Sequence, residues 1–156
     1  MNNSSRCHPE QREGPWFLRA VHVRDPMLES FLRKGFPVMS EADANARQQA
    51  EDHYYAALDL MADGKLEEAV AAYRESIAVD PTFTEAMHGL ARALQDLQRY
   101  DEAIAVAQQI TALDADDVLA HTSLSVLYQK KGMIPEAEAE GAKARVLGWK
   151  QQLKKS

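Results

Sequence analysis

An internal period of 34 residues constrains this chain more than any other feature. Ala69, Ala103 and Ala137 are spaced by 34 residues, and each follows a glutamate: Glu68, Glu102 and Glu136. The same slide superposes Leu66, Tyr100 and Ile134, then Leu60, Leu94 and Tyr128, then Ala56, Leu90 and Leu124. Gly64 and Gly132 also fall together, with Gln98 between them. Several independent columns sharing one period mark a chain of repeated units, each too small to bury its own apolar face.

One unit shows how the repeat must fold. In residues 50–83, Tyr54, Leu58 and Met61 fall at i, i+4 and i+7, with Ala57 and Leu60 widening the stripe into an amphipathic helix. Asp63-Gly64 ends it, since glycine accepts the left-handed backbone that closes a helix. A second helix starts near Leu66, with Glu67 and Glu68 in its first turn where the helix dipole favours acids. Ala69, Tyr73, Ser76 and Ile77 mark its inner face. Asp80-Pro81 closes the unit, because proline disfavours helix in the residue before it and cannot continue one itself. The small side chain at 69, 103 and 137 lets two antiparallel helices approach closely. Ala69, Tyr73, Leu90, Ala103, Leu124, Tyr128 and Ala137 are therefore the expected packing residues.

Charge narrows the function. The net charge of −6 divides unevenly: residues 1–38 carry six basic and four acidic side chains, residues 39–141 seven and twenty, and residues 142–156 five and none. A body this acidic repels a phosphate backbone and argues against nucleic-acid binding. Cys7 is the only cysteine, which fits a reducing compartment and a cytoplasmic location. No apolar run approaches the ~20 residues that span a bilayer.

The stretch Gly64-Lys65-Leu66-Glu67-Glu68-Ala69 through Tyr73 to Asp80-Pro81 resembles the tetratricopeptide repeat, and a small bacterial type of that family. The resemblance covers three units, residues 50–83, 84–117 and 118–151. It implies an all-α solenoid of helix-turn-helix repeats over residues 39–151, followed by a basic tail, residues 152–156. Departures are Asp114-Ala115 in place of Asp-Pro, Ala107 and Gly141 at an aromatic column, and Trp149 where proline would fall.

The ends are less regular. Ser40 is placed to cap a helix of about 20 residues reaching Met61, with Glu41 and Asp43 in its first turn. Gly148 reads as the stop of the last helix, leaving Trp149 and Leu153 to fold over a thinly capped edge. Residues 1–38 lack any sustained period. Their run His8-Pro9-Glu10-Gln11-Arg12-Glu13-Gly14-Pro15-Trp16-Phe17 looks like translated bacterial intergenic sequence. They are expected to be disordered or a misannotated extension, with translation starting at Met39. The rival is an arm whose Trp16, Phe17, Phe31, Leu32 and Phe36 dock on the solenoid.

No catalytic constellation emerges. Phosphate-cradling loops, nucleophile elbows and Cys/His metal spacings are all missing from the sequence. His53 and His121 lie two repeats apart, on the order of 20 Å at the usual ~8–10 Å helix spacing, so they cannot share a metal. The pairs Glu67/Glu68, Asp101/Glu102 and Asp116/Asp117 sit where capping and the dipole account for acids. The expectation is a non-enzymatic module without cofactor or metal.

The family resemblance implies that partners bind in a groove lined by the first helix of each unit. By position the lining is Glu51, Tyr54, Leu58 and Met61, then Glu85, His88, Arg92, Gln95 and Asp96, then Leu119, Thr122, Val126, Gln129 and Lys130. Co-chaperones of the family hold a terminal carboxylate with a Lys/Asn/Arg clamp. The matching positions here are Tyr54, Leu58, Gly89, Leu119 and Ser123, none of them cationic, which argues against a clamp. The expected function is an adaptor that binds a peptide or protein segment in this groove. The alternative is a structural subunit that self-associates or completes an assembly through its solenoid edges.

Overall fold

The structure, a computed structural model, describes residues 40–156. Six helices follow one another: α1 (Glu41–Ala62), α2 (Leu66–Val79), α3 (Thr84–Asp96), α4 (Tyr100–Leu113), α5 (Val118–Lys130) and α6 (Ile134–Lys155). They form three antiparallel pairs stacked into an all-α solenoid, and among the described residues there is no strand. The compact unit begins at Glu41. The expectations for residues 1–38, and for Met39 as the start, lie outside the described residues.

The turn inside each pair is built alike. Gly64, Gln98 and Gly132 all take positive φ, at 75°, 61° and 77°. The amide after each one bonds back to Leu60, Leu94 or Tyr128 respectively, closing the helix in a Schellman arrangement. The glycine column therefore reflects a left-handed residue, and Gln98 holds that conformation without glycine's freedom. Four helices lack a side-chain N-cap bond and instead carry acids in the first turn, as with Glu67 and Glu68 in α2. α5 is capped outright: Asp117 Oδ1 accepts from the Ala120 amide at 3.0 Å.

Turns between pairs depend on aspartate more than on proline. Asp80 Oδ1 accepts the Thr82 amide at 3.0 Å, and Asp114 Oδ1 accepts the Asp116 amide at 2.9 Å. The second turn therefore keeps its shape with Ala115 in the place of Pro81.

The core runs along the stack. Ala69, Ala103 and Ala137 are buried, as are Tyr73, Leu90 and Leu124, while Tyr128 packs half-buried against them. Serine hydroxyls tie helices within pairs: Ser76 Oγ donates to the Ala50 carbonyl at 2.6 Å, and Ser125 Oγ to that of Ala137 at 2.7 Å. Neighbouring helices in sequence pack against one another. α1 also meets α3, and α3 meets α5, whereas α2 and α4 meet through an exposed ion pair, Arg74 to Glu102 at 2.8 Å, rather than by packing. The first helix of each pair thus forms the tight inner row.

The far end departs from expectation. Gly148 does not stop α6, which continues as helix to Lys155 and takes up the basic tail. Trp149 and Leu153 are exposed rather than folded over an edge. Gly148 keeps a right-handed backbone, and the Trp-Lys-Gln-Gln-Leu-Lys-Lys run after it contains good helix formers and no proline.

Candidate partner-binding groove

The inner row leaves a hollow between α3 and α5. Its lining is His88, Ala91, Arg92 and Gln95 from α3, with Leu119, Thr122, Ser123, Val126 and Leu127 from α5. The volume is about 360 Å³, toward the small end of the usual range for ligand pockets. Buried Ala91 and Leu127 make the floor, and Leu119 at the rim is 57% exposed. One wall is thus polar, the other largely aliphatic.

The polar wall is held in place. His88 Nε2 lies 2.9 Å from Asp117 Oδ2, and that carboxylate's other oxygen caps α5. Burial pushes the Asp117 carboxyl upward, but the Ala120 amide, His88 and the Leu119 amide outweigh it and hold it below the ordinary carboxylate range. His88 therefore fastens α3 to the start of α5 at the mouth of the hollow. Arg92 Nε reaches Asp96 at 3.3 Å along its own helix, leaving a largely exposed guanidinium over the opening. Thr122 turns its hydroxyl back to the Val118 carbonyl at 2.8 Å. Nothing in this set pairs a nucleophile with a base.

Of the fourteen residues the sequence placed in the groove, the structure brings six together here: His88, Arg92, Gln95, Leu119, Thr122 and Val126, while Glu51, Glu85, Asp96 and Lys130 lie outside the lining. Tyr54 and Met61 pack instead against the core. The Tyr54 ring lies 5.3 Å from that of Phe83 and 6.0 Å from that of Tyr73, an aromatic cluster that draws it inward. Leu58 is exposed on α1, and Gln129 is exposed near the end of α5, both outside the hollow. Ala91 and Leu127 are the lining residues that sequence reasoning missed, and Ser123 was named there only as a clamp position. Their signal was spacing, since Ala91 and Leu127 sit three and four residues from named positions, on the inward side.

The other histidines are engaged elsewhere. His53 Nδ1 lies 3.2 Å from Glu75. His121, buried between α5 and α6, places Nδ1 2.5 Å from Glu140 and Nε2 3.0 Å from the Ala115 carbonyl. Among the described residues no group of three or more His, Cys, Asp or Glu is arranged to hold a metal ion. Nor is any described helix long and apolar enough to cross a membrane.

Residues 60–127 match the tetratricopeptide repeat family. Among solved structures, the second such domain of Spaghetti (RPAP3), bound to the HSP90 peptide SRMEEVD, is similar with a TM-score of 0.65 and 26% identity, covering 69% of this chain and 99% of that one. The translocator chaperone SycD of Yersinia enterocolitica has a TM-score of 0.61 at 23% identity, covering 64% and 76%. MamA has a TM-score of 0.65 at 20% identity, covering 75% of this chain and 65% of its own, and like SycD it speaks for the fold alone. Comparison with curated proteins finds no match. The matched stretch runs from the end of α1 to the last turns of α5, the same helices whose period built the stack, and over residues 60–127 this chain is built of tetratricopeptide repeats.

Proposed function

We propose that this chain is a non-enzymatic adaptor that holds a segment of another polypeptide in the hollow between α3 and α5. The observation that carries the reading is the rim itself. Leu119 and Val126 present aliphatic surface beside Arg92, Gln95 and Thr122, at a place that none of the described helices covers. Complete burial of Leu119 by a ligand would contribute about 1.5–3 kcal/mol. Polar groups opposite would orient an amphipathic helix or extended strand of the partner.

Similar domains lend the reading support, since two of them carry an HSP90 peptide in their structures. The same peptide is a poor fit here. SRMEEVD is acidic, whereas the hollow's one permanent cation, Arg92, already faces Asp96. We therefore assign the groove to a segment with an aliphatic anchor and neutral polar flanks. Its compartment is proposed as cytoplasmic on the single Cys7.

The test is affinity capture with the full chain against Leu119→Glu with Val126→Glu, followed by mass spectrometry. Circular dichroism of the variant establishes that it is folded. The expected result is a set of polypeptides held by the native chain and lost from the variant. Equal capture by both would remove the groove from the argument.

A further inference from the structure

The two ends of the stack carry helix faces that none of the described residues covers. On α6, Val146, Trp149 and Leu153 fall at i, i+3 and i+7 and are 56%, 68% and 66% exposed. Lys150 and Lys154 flank them, and residues 142–156 hold five cations and no acid. Arg145, Lys150, Lys154 and Lys155 form no ion pair among the described residues. At the root of this stripe, Ala142, Val146 and Leu147 border an open hollow of about 520 Å³, closed on its other side by Ala115 and His121.

On α1 the opposite pattern stands. Asp52, Tyr55, Ala56 and Asp59 share one exposed face at i, i+3, i+4 and i+7, Asp63 follows in the turn directly after the helix, and Tyr55 is 59% exposed. Asp59 and Asp63 have no cation against them among the described residues. One repeat later the same register holds Ala86, Gly89, Leu90 and Ala93, the face that joins α3 to the preceding pair. α1 therefore exposes the joining surface of its kind, with acids where the internal joints have apolar side chains. α1 and α6 do not touch, so neither stripe can satisfy the other within one chain.

We propose that α6 docks its Val146–Trp149–Leu153 stripe on α1 of a second copy of this chain. Lys150 and Lys154 then face Asp52, Asp59 and Asp63, and Tyr55 enters the hollow at the root of the stripe. An acid-rich body also disfavours the other acceptor of basic amphipathic helices, an anionic lipid surface. The contact is short against the roughly 800 Å² per partner of a standard interface. It is therefore an association driven by charge, seen at high protein concentration and low salt. The proposal uses neither the α3–α5 hollow nor its lining, so it stands or falls apart from the groove reading.

The experiment is light scattering behind size exclusion on the full chain. Raising salt from about 0.02 M to about 0.5 M shortens the screening length from roughly 20 Å to roughly 4 Å. The expected result is a mass above the monomer at low salt that falls to the monomer at high salt. Lys150→Glu with Lys154→Glu, and separately Asp52→Lys with Asp59→Lys, each weaken self-association at least about tenfold, and a mixture of the two variants restores it. Trp149→Glu lowers it without charge reversal on α1. A monomer under all conditions overturns the proposal, as does association that survives these substitutions. A native chain that stays monomeric yet sediments with phosphatidylserine vesicles overturns it too, and assigns the stripe to lipid.

Discussion

The ring of Tyr73 on α2 fills the space beside Gly89 on α3, with its Cε1 2.4 Å from where a β-carbon at that position would sit. Real β-carbons essentially never come so close, so any side chain at 89 forces the Tyr73 ring to shift at the joint between the first and second pairs. Gly89→Ala is expected to cost about 1–3 kcal/mol, the usual penalty of overpacking. Urea denaturation measures it, and the loss shrinks when Tyr73→Leu is added in a double-mutant cycle.

Gly148 should respond with the opposite sign. A β-carbon there meets only Val118 Cγ1, at an ordinary 4.0 Å, and the backbone is helical. Gly148→Ala is expected to stabilise the chain by about 0.5–1 kcal/mol through helix propensity. A lower urea midpoint would show that α6 bends or ends at this residue.

These two glycines mark what the sequence discloses and what it hides. Period, helix pairing and turn positions were legible because Ala69, Ala103 and Ala137 repeat with their neighbours, and packing demands the same small residue each time. The end of α6 was not, because a glycine inside a helix and one that stops it differ only in what surrounds them. Six residues lining the hollow between α3 and α5 could be placed by register, although Glu85, Asp96, Gln129 and Lys130 on the same helices lie outside it. On α1 Tyr54 turns elsewhere, since the ring of Tyr73 comes from α2 and that of Phe83 from the turn before α3, and only folding brings them near.

Gln98 sits in a left-handed turn at φ 61°, where its two counterparts are glycines. A side chain in that conformation costs roughly 1–2 kcal/mol, offset in part by the lower unfolded-state entropy of a non-glycine residue. Gln98→Gly is therefore expected to raise stability by about 0.5–1 kcal/mol, read as a shift in the thermal midpoint. No change would mean that the turn bears no strain.

Glu140 couples α6 to α5 through His121 and to its own helix through Lys143 at 2.7 Å. Burial raises its carboxyl, but Lys143 and His121 prevail and leave it below the ordinary value of 4.5. The folded state thus binds this proton less readily than the unfolded one. Its contribution is full above pH 4.5 and is lost as pH falls through the depressed folded value. Glu140→Gln should cost about 1–3 kcal/mol at neutral pH, as charged hydrogen bonds are lost. The gap to the native chain should close in acid; a gap independent of pH would refute the assignment.

Because each helix meets only near neighbours in the stack, a disturbance has nowhere to travel but up or down one row of tiles. Damage at α3 divides the row, and stability should then split into two transitions. Damage in α6 only unravels the last tile. Where a lesion falls along the row decides whether the molecule breaks or merely frays.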